Sequence, residues 1–175
     1  MSGKFTSFNE TLKTEINAYD AASYTEFSSP VASITLSGGT LSSSNAYTNS
    51  FELYLENGTY VLTISKPGHL KCTIYNIKIQ DKSLDLSSKN ITANLVPGDF
   101  NDDSVINALD KIEISKYIGN SVSSASKYDF NGDGTIGLED LHLVKLNYMT
   151  ANNSITLTYD STDEDSNDND NEDPF

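Results

Sequence analysis

Residues 99–110 read DFNDDSVINALD, and residues 129–140 read DFNGDGTIGLED. The two stretches are one pattern written twice, thirty residues apart. In register, Asp99, Phe100, Asn101, Asp103, Ile106 and Asp110 fall on Asp129, Phe130, Asn131, Asp133, Ile136 and Asp140. Oxygen side chains recur at positions 1, 3, 5 and 12 of each stretch, the ligand spacing of a twelve-residue Ca²⁺ loop. Ca²⁺ is a hard cation that takes six to eight oxygens at about 2.3–2.6 Å. Alternate residues of a tight loop point inward, position 7 offers its backbone carbonyl, and position 12 closes the shell from the first turn of a helix. The expected ligands are Asp99, Asn101, Asp103, Val105 (by its carbonyl) and Asp110 in one loop. In the other they are Asp129, Asn131, Asp133, Thr135 (by its carbonyl) and Asp140. Two Ca²⁺ ions are expected.

Two features set these loops apart from the usual helix–loop–helix calcium hand. Position 12 is Asp rather than Glu in both copies, and position 6 is Gly134 in the second loop but Ser104 in the first. Ser104 is less suited than glycine to a positive φ. No helix is expected to lead into the first loop, because Val96-Pro97-Gly98 comes directly before it and Pro and Gly break helices. Each copy is a loop followed only by an outgoing helix.

A duplicated calcium loop with an outgoing helix, joined by a short linker, resembles a dockerin, the calcium-dependent docking module of cellulosome-type assemblies. The resemblance covers about residues 98–150. It implies a cohesin module of a scaffold or cell-surface protein as partner. In that family, loop positions 10 and 11 and the helix that follows touch cohesin. The matching residues are Ala108, Leu109, Ile112, Ser115 and Lys116 in the first copy. In the second they are Leu138, Glu139, His142, Lys145 and Leu146. Leu143 joins them on helical spacing. The two sets differ chemically, so a single binding orientation is expected.

The run NGTYVLTISKPGHLKCTIYNIKI, within residues 57–79, is similar to the last hairpins of the X-modules that precede dockerins, and to carboxypeptidase regulatory-like, transthyretin-like folds. The resemblance implies a non-catalytic domain that packs on the dockerin and stabilises it. The short connection 95–98 agrees with close packing.

The chain has 175 residues and a net charge of −14, from 25 acids against 11 lysines and no arginine. That balance argues against nucleic acid, whose binders carry basic patches. Eight of the acids lie between Asp160 and Asp173. The one cysteine, Cys72, leaves no partner for an intrachain disulfide and is expected to be a small buried hydrophobe. No apolar run is long enough to span a membrane. Weak calcium modules suit millimolar extracellular Ca²⁺, so a secreted or cell-surface, bacterial location is expected.

The fold class expected is α+β in two domains. Residues 1–96 form an antiparallel β-sandwich, 97–150 the dockerin, 151–159 a C-terminal strand or clasp, and 160–175 a disordered acidic tail. Period-2 patterning places strands at 4–8, 14–19, 32–36, 51–55, 59–65, 70–75, 77–80 and 91–96. Asn57-Gly58 reads as a two-residue hairpin turn. His69, after Pro67-Gly68, reads as a turn or edge residue. Helices are expected over 109–118 and 138–149. Ile106, Ile114, Ile118, Ile136, Leu141, Val144 and Tyr148 are assigned to their shared core.

No nucleophile–base pair, phosphate loop or His-rich metal motif supports an enzyme, so none is expected. Two other readings compete with docking. The loops could rigidify the end of a surface adhesin, which would bury Leu109, Ile112, Leu143 and Leu146 within the chain. Alternatively, a flat row of exposed tyrosines could make the sandwich a carbohydrate-binding module.

Overall fold

The computed structural model describes residues 1–42, 46–123 and 126–159. The acidic tail expected to be disordered lies outside them. The N-terminal half is two packed sheets. One has the order β4-β5-β1-β8 and the other β3-β2-β6-β7-β9. The strands are β1 (Ser2–Ser7), β2 (Thr14–Asp20), β3 (Ala32–Leu36), β4 (Thr40–Leu41), β5 (Tyr47–Glu52), β6 (Gly58–Ser65), β7 (Cys72–Ile79), β8 (Thr92–Asn94) and β9 (Ser154–Thr156). A short 3₁₀ turn at Leu86–Lys89 precedes β8.

Alternation of side chains sets the interior. In β2, Thr14, Ile16 and Ala18 are buried while Glu15 is exposed and Asn17 half-buried. Phe5, Ile16, Leu62, Ile64, Ile74, Ile77, Leu86 and Cys72 fill the space between the sheets. Burying each such aliphatic or aromatic side chain is worth about 1.5–3 kcal/mol. Cys72 is a buried hydrophobe, as expected.

Three features of the sandwich depart from the sequence reading. Asn57-Gly58 does not close a hairpin: β5 pairs with β1, whereas β6 pairs with β2 and β7 in the other sheet. The segment between them is a crossover, because Phe51 and Leu53 serve one layer and Tyr60 and Leu62 the other. The expected strands at 70–75 and 77–80 are one strand, β7. Its register against β6 shifts between Tyr60 and Leu62, and Asn76 takes a φ of 60° at that bulge. Finally, the sheets are not wholly antiparallel, since β8 runs parallel to β1 and β9 parallel to β7.

The C-terminal half carries α1 (Ala108–Ser115) and α2 (Leu138–Leu146). Asn107 caps α1 through a bond from Leu109 N–H (2.7 Å). Both helices end earlier than expected and finish in turns. A second core forms here from Leu70, Phe100, Ile106, Ile114, Phe130, Ile136, Leu141 and Val144. Two expected members are absent: Ile118 is 37% and Tyr148 46% exposed. Each lies beyond the true helix end, where the 3.6-residue period no longer applies. The linker residues Val122 and Tyr128 do pack against this core.

The two cores meet along one turn. Leu70, at the foot of β7, belongs to the second core, and Phe8 and Val96 pack against it from the sandwich side. Gly98 N–H donates to the Gly68 carbonyl (2.8 Å), and Leu70 N–H to that of Val96 (2.8 Å).

Candidate metal loops and docking face

No helix leads into Asp99, which follows the short strand β8 and the segment 95–98. Each loop opens with an aspartate whose carboxylate accepts backbone N–H groups from further along. In the first, Asp99 accepts from Asp103 (3.2 Å) and Ser104 (3.0 Å). In the second, Asp129 accepts from Gly132 (2.8 Å) and Gly134 (2.9 Å). Position 3 turns back in the same way: Asn101 and Asn131 accept from the N–H of Asp103 (3.2 Å) and Asp133 (3.0 Å). Position 5 then accepts from position 7, Val105 (2.9 Å) and Thr135 (2.8 Å).

Position 12 joins loop to helix. Asp110 accepts from Phe100 N–H (2.7 Å) on one oxygen and from Asn107 N–H (2.9 Å) on the other. Asp140 repeats this with Phe130 (2.7 Å) and Gly137 (2.8 Å). An aspartate there is short enough to reach both the loop entry and the helix N-terminus. Its negative charge also suits the positive end of the helix dipole.

The electrostatics call for a cation. Asp99, Asp110, Asp129 and Asp140 are all buried. Burial pushes Asp99 up to about 6, with the charges of Asp110, Asp102 and Asp103 adding to the rise and the Ser104 N–H opposing it. Burial likewise raises Asp140, against bonds from Gly137, Phe130 and Asn131. The exposed Asp103 goes the other way, held low first by the Asn101 amide. Among the described residues the ion pair present is Lys116–Glu113 (2.6 Å), in neither loop.

No trio of His, Cys, Asp or Glu side chains is gathered as a ready metal cage among the described residues. Each loop instead mixes carboxylates, an asparagine amide and a main-chain carbonyl. All are hard oxygen donors, and none is a soft ligand. Buried anions without a counter-charge, set among hard oxygens, fit Ca²⁺ rather than a thiophilic metal. Ser104 takes φ 66° where Gly134 takes 84°, so the first loop keeps the left-handed turn without glycine.

The two phenylalanines at position 2 carry weight that sequence reasoning did not assign them. Phe100 and Phe130 stack at 5.5 Å between ring centroids, 21° from parallel, at the centre of the second core. Their recurrence at the same place in both copies was the available signal.

The expected partner-facing residues lie on the outer surfaces of α1 and α2. Ala108, Leu109, Ile112, Ser115 and Lys116 are exposed on α1 and at its end. Leu138, Glu139, His142, Lys145 and Leu146 are exposed on α2. Leu109, Ile112, Leu138 and Leu146 are each 57–69% exposed. Leu143 is half-buried and packs against the second core, so it belongs more to the fold than to the outer face. The adhesin-end reading needed Leu109, Ile112, Leu143 and Leu146 covered; Leu143 is so in part, and the other three are not. The sandwich tyrosines Tyr19, Tyr24 and Tyr75 cluster but do not lie flat, meeting at 57° and 71°.

Residues 97–150 match the sequence model of the dockerin type I domain. This segment is a dockerin. Dockerins of this type bind calcium, and they are docking modules rather than catalysts. No curated protein matches the chain. Two solved structures share its fold across sandwich and dockerin together. Both are described as type II cohesin–X-dockerin complexes from Acetivibrio cellulolyticus, one an N-terminal and one a C-terminal interface mutant. Each aligns at a TM-score of 0.51, over 85% of this chain and 97% of the other, with 22% and 21% identity respectively. At that identity the likeness establishes the fold alone. The family match is to type I while the similar folds come from type II complexes. No helix among the described residues is long and apolar enough to cross a membrane.

Proposed function

We infer that this chain is a calcium-dependent docking module that binds a cohesin, and so assembles or anchors an extracellular polysaccharide-degrading complex. The observation that carries this reading is the outer face of the dockerin. Leu109, Ile112, Leu138 and Leu146 stand in solvent on helices whose inner faces are already packed. Leu109 and Ile112 recur at helical spacing on α1, as Leu138 and Leu146 do on α2, and exposed apolar side chains so placed are what a partner would cover.

Two Ca²⁺ ions are assigned, one per loop. Asp99, Asn101, Asp103, Asp110 and the Val105 carbonyl hold the first. Asp129, Asn131, Asp133, Asp140 and the Thr135 carbonyl hold the second. What calcium supplies is charge balance for buried carboxylates. The chain's own residues then hold each loop against its helix through Asp110 and Asp140, and the helices present the apolar face. Millimolar Ca²⁺ outside the cell would keep such a site filled. A site of about 10 μM would stabilise the fold by roughly 2.7 kcal/mol per loop at that concentration.

The test is a binding screen of the full chain against type I and type II cohesins, with calcium or with EDTA, and with Asp103→Ala and Asp133→Ala as controls. Capture by at least one cohesin in calcium, lost in EDTA, is expected. Capture that persists in EDTA with unchanged circular dichroism would refute the reading.

A further inference from the structure

The two loops are braced by different parts of the chain. In each loop, positions 7 and 8 pair with the segment that follows the other copy's helix. Ile136 N–H donates to Asn120 carbonyl (3.0 Å), Gly119 N–H to Ile136 carbonyl (2.8 Å) and Val122 N–H to Gly134 carbonyl (2.8 Å). Thr135 bridges Ser121. At positions 7 and 8 the second loop is thus held from within the dockerin, and among the described residues the sandwich touches it at positions 1 and 2, through Asn9 on the Asp129 carbonyl and His69 on Phe130. The first loop is held by the end of the chain. Ile106 N–H donates to Thr150 carbonyl (2.9 Å), Met149 N–H donates to Ile106 carbonyl (2.8 Å), and Val105 bridges Ala151.

That second brace does not stop at the dockerin. Two residues on, Asn153 donates its side-chain amide to Asn94 carbonyl (2.7 Å) and accepts from Thr73 N–H (2.9 Å). The chain then becomes β9, the parallel edge strand on β7. Leu157 is buried in the sandwich core. Its N–H donates to Tyr75 carbonyl (3.1 Å), and its carbonyl accepts from the Asn76 side chain (2.7 Å). Tyr159 closes the run by accepting Lys78 N–H (3.0 Å). Residues 149–159 are therefore a strap with one end on the first loop and the other in the sandwich core.

We propose that this strap couples the first loop, and not the second, to the sandwich: cation uptake at Asp99–Asp110 and seating of β9 on β7 reinforce one another. The physical reason is shared backbone. Val105, whose carbonyl is the position-7 donor, is placed by the antiparallel bridge to Ala151. Ala151 is placed in turn by Asn153 and β9. Freeing β9 releases the bridge and widens the range of positions that carbonyl visits. Two events that each order the same segment must favour each other by the same factor. The calcium half of this statement rests on the reading given under Proposed function; the strap half does not.

The experiment uses the full chain and two strap variants, Leu157→Ala and Asn153→Ala. Neither residue is a metal donor or lies on the helix face. Calcium is titrated calorimetrically in an Asp133→Ala background, which isolates the first loop, and in an Asp103→Ala background, which isolates the second. The expected result is a loss of at least about fivefold in affinity at the first loop, the lower end of ordinary coupling between sites, with no change at the second. Amide exchange of Ile106 and Ile136 is followed in parallel, in calcium-free buffer as well. Ile106 should exchange faster in the strap variants and Ile136 should not. Equal effects on both loops, or none on Ile106, would overturn the proposal. If the parent chain takes up no calcium, the calcium reading falls, and the exchange comparison still decides whether the strap holds the first loop. If Leu157→Ala fails to fold, Asn153→Ala, which leaves the sandwich core intact, carries the same comparison.

Discussion

His69 stands edge-on to Phe130, with ring centroids 5.4 Å apart and planes at 82°. One residue lies in a turn of the sandwich and the other at position 2 of the second loop, so this contact ties the two modules. The imidazole is fully satisfied. Its Nε2 accepts Phe8 N–H (3.2 Å) and its Nδ1 donates to the Pro67 carbonyl (3.0 Å). Asn9, next to Phe8, donates its side-chain amide to the Asp129 carbonyl. His69→Ala removes the ring contact and orphans the Phe8 N–H. A loss of about 2–4 kcal/mol is expected, seen in calcium as a lower denaturation midpoint. An unchanged midpoint would show that the contact is incidental.

The same residue sets a pH dependence. Burial pulls His69 down to about 3, with the Lys66 ammonium nearby adding to the drop and the Pro67 carbonyl opposing it. A second proton would sit on Nε2, facing a backbone donor. The unfolded chain takes up its proton near pH 6.5, whereas the folded chain does not until far lower. The unfolded state then binds more protons, and stability falls as pH drops from about 6.5 toward 3. Between pH 7 and 5 one such group accounts for a loss of about 2 kcal/mol. Melting in saturating calcium at pH 7 and 5 tests this. His69→Gln, which cannot titrate, should flatten the slope; an identical slope would assign the effect elsewhere.

Close approach makes Gly68 irreplaceable. Its φ is +75°, and a Cβ there would lie 2.5 Å from the Lys127 carbonyl oxygen, a backbone atom that cannot turn aside. Gly119 has φ +86° with nothing within 4 Å. Gly119→Ala should cost only the left-handed strain, about 1–2 kcal/mol. Gly68→Ala should cost more and should also separate the modules. Their relative melting, and amide exchange at Leu70 and Phe100, would check it. Equal costs would mean that the turn can retreat from Lys127.

The loops were legible because their chemistry is local: a fixed spacing of oxygens within twelve residues. So were the breakers at Pro97-Gly98 and the alternation that marks β2 and β3. What escaped was decided by distant partners. Asn57-Gly58 carries a hairpin's residues, but Phe51 and Tyr60 are claimed by opposite sheets. His69 reads as a turn residue because nothing near it in sequence announces Phe8 or Phe130. Ile118 and Tyr148 keep the helical period by number, though the helices end before them.

The docking face separates binding from stability. Ile112 and Leu146 are 57% and 69% exposed, and their removal leaves no cavity. Ile112→Asp combined with Leu146→Asp should leave the melting temperature within about 2 °C, as surface substitutions do. Cohesin capture should weaken at least about thirtyfold if these side chains are anchors of the interface. Undiminished capture would move the interface off these helices.

Asp110 and Asp103 distinguish a proposed metal donor that also builds the fold from a proposed donor that does not. Asp110 is buried and accepts N–H groups from both loop entry and helix start. Asp103 is exposed, and its bonds are to Asn101, Val105 and Asn107 around it. In calcium, either change to alanine should weaken the first site. In EDTA the two should part. Asp110→Ala leaves the buried Phe100 and half-buried Asn107 donors without that acceptor and should cost about 1–3 kcal/mol more. Asp103→Ala removes one of several crowded negative charges and should be neutral or slightly favourable. Denaturation of both variants with and without chelator makes the comparison. Equal losses in EDTA would show that the position-12 carboxylate acts only through the metal, and that the helix cap owes nothing to it.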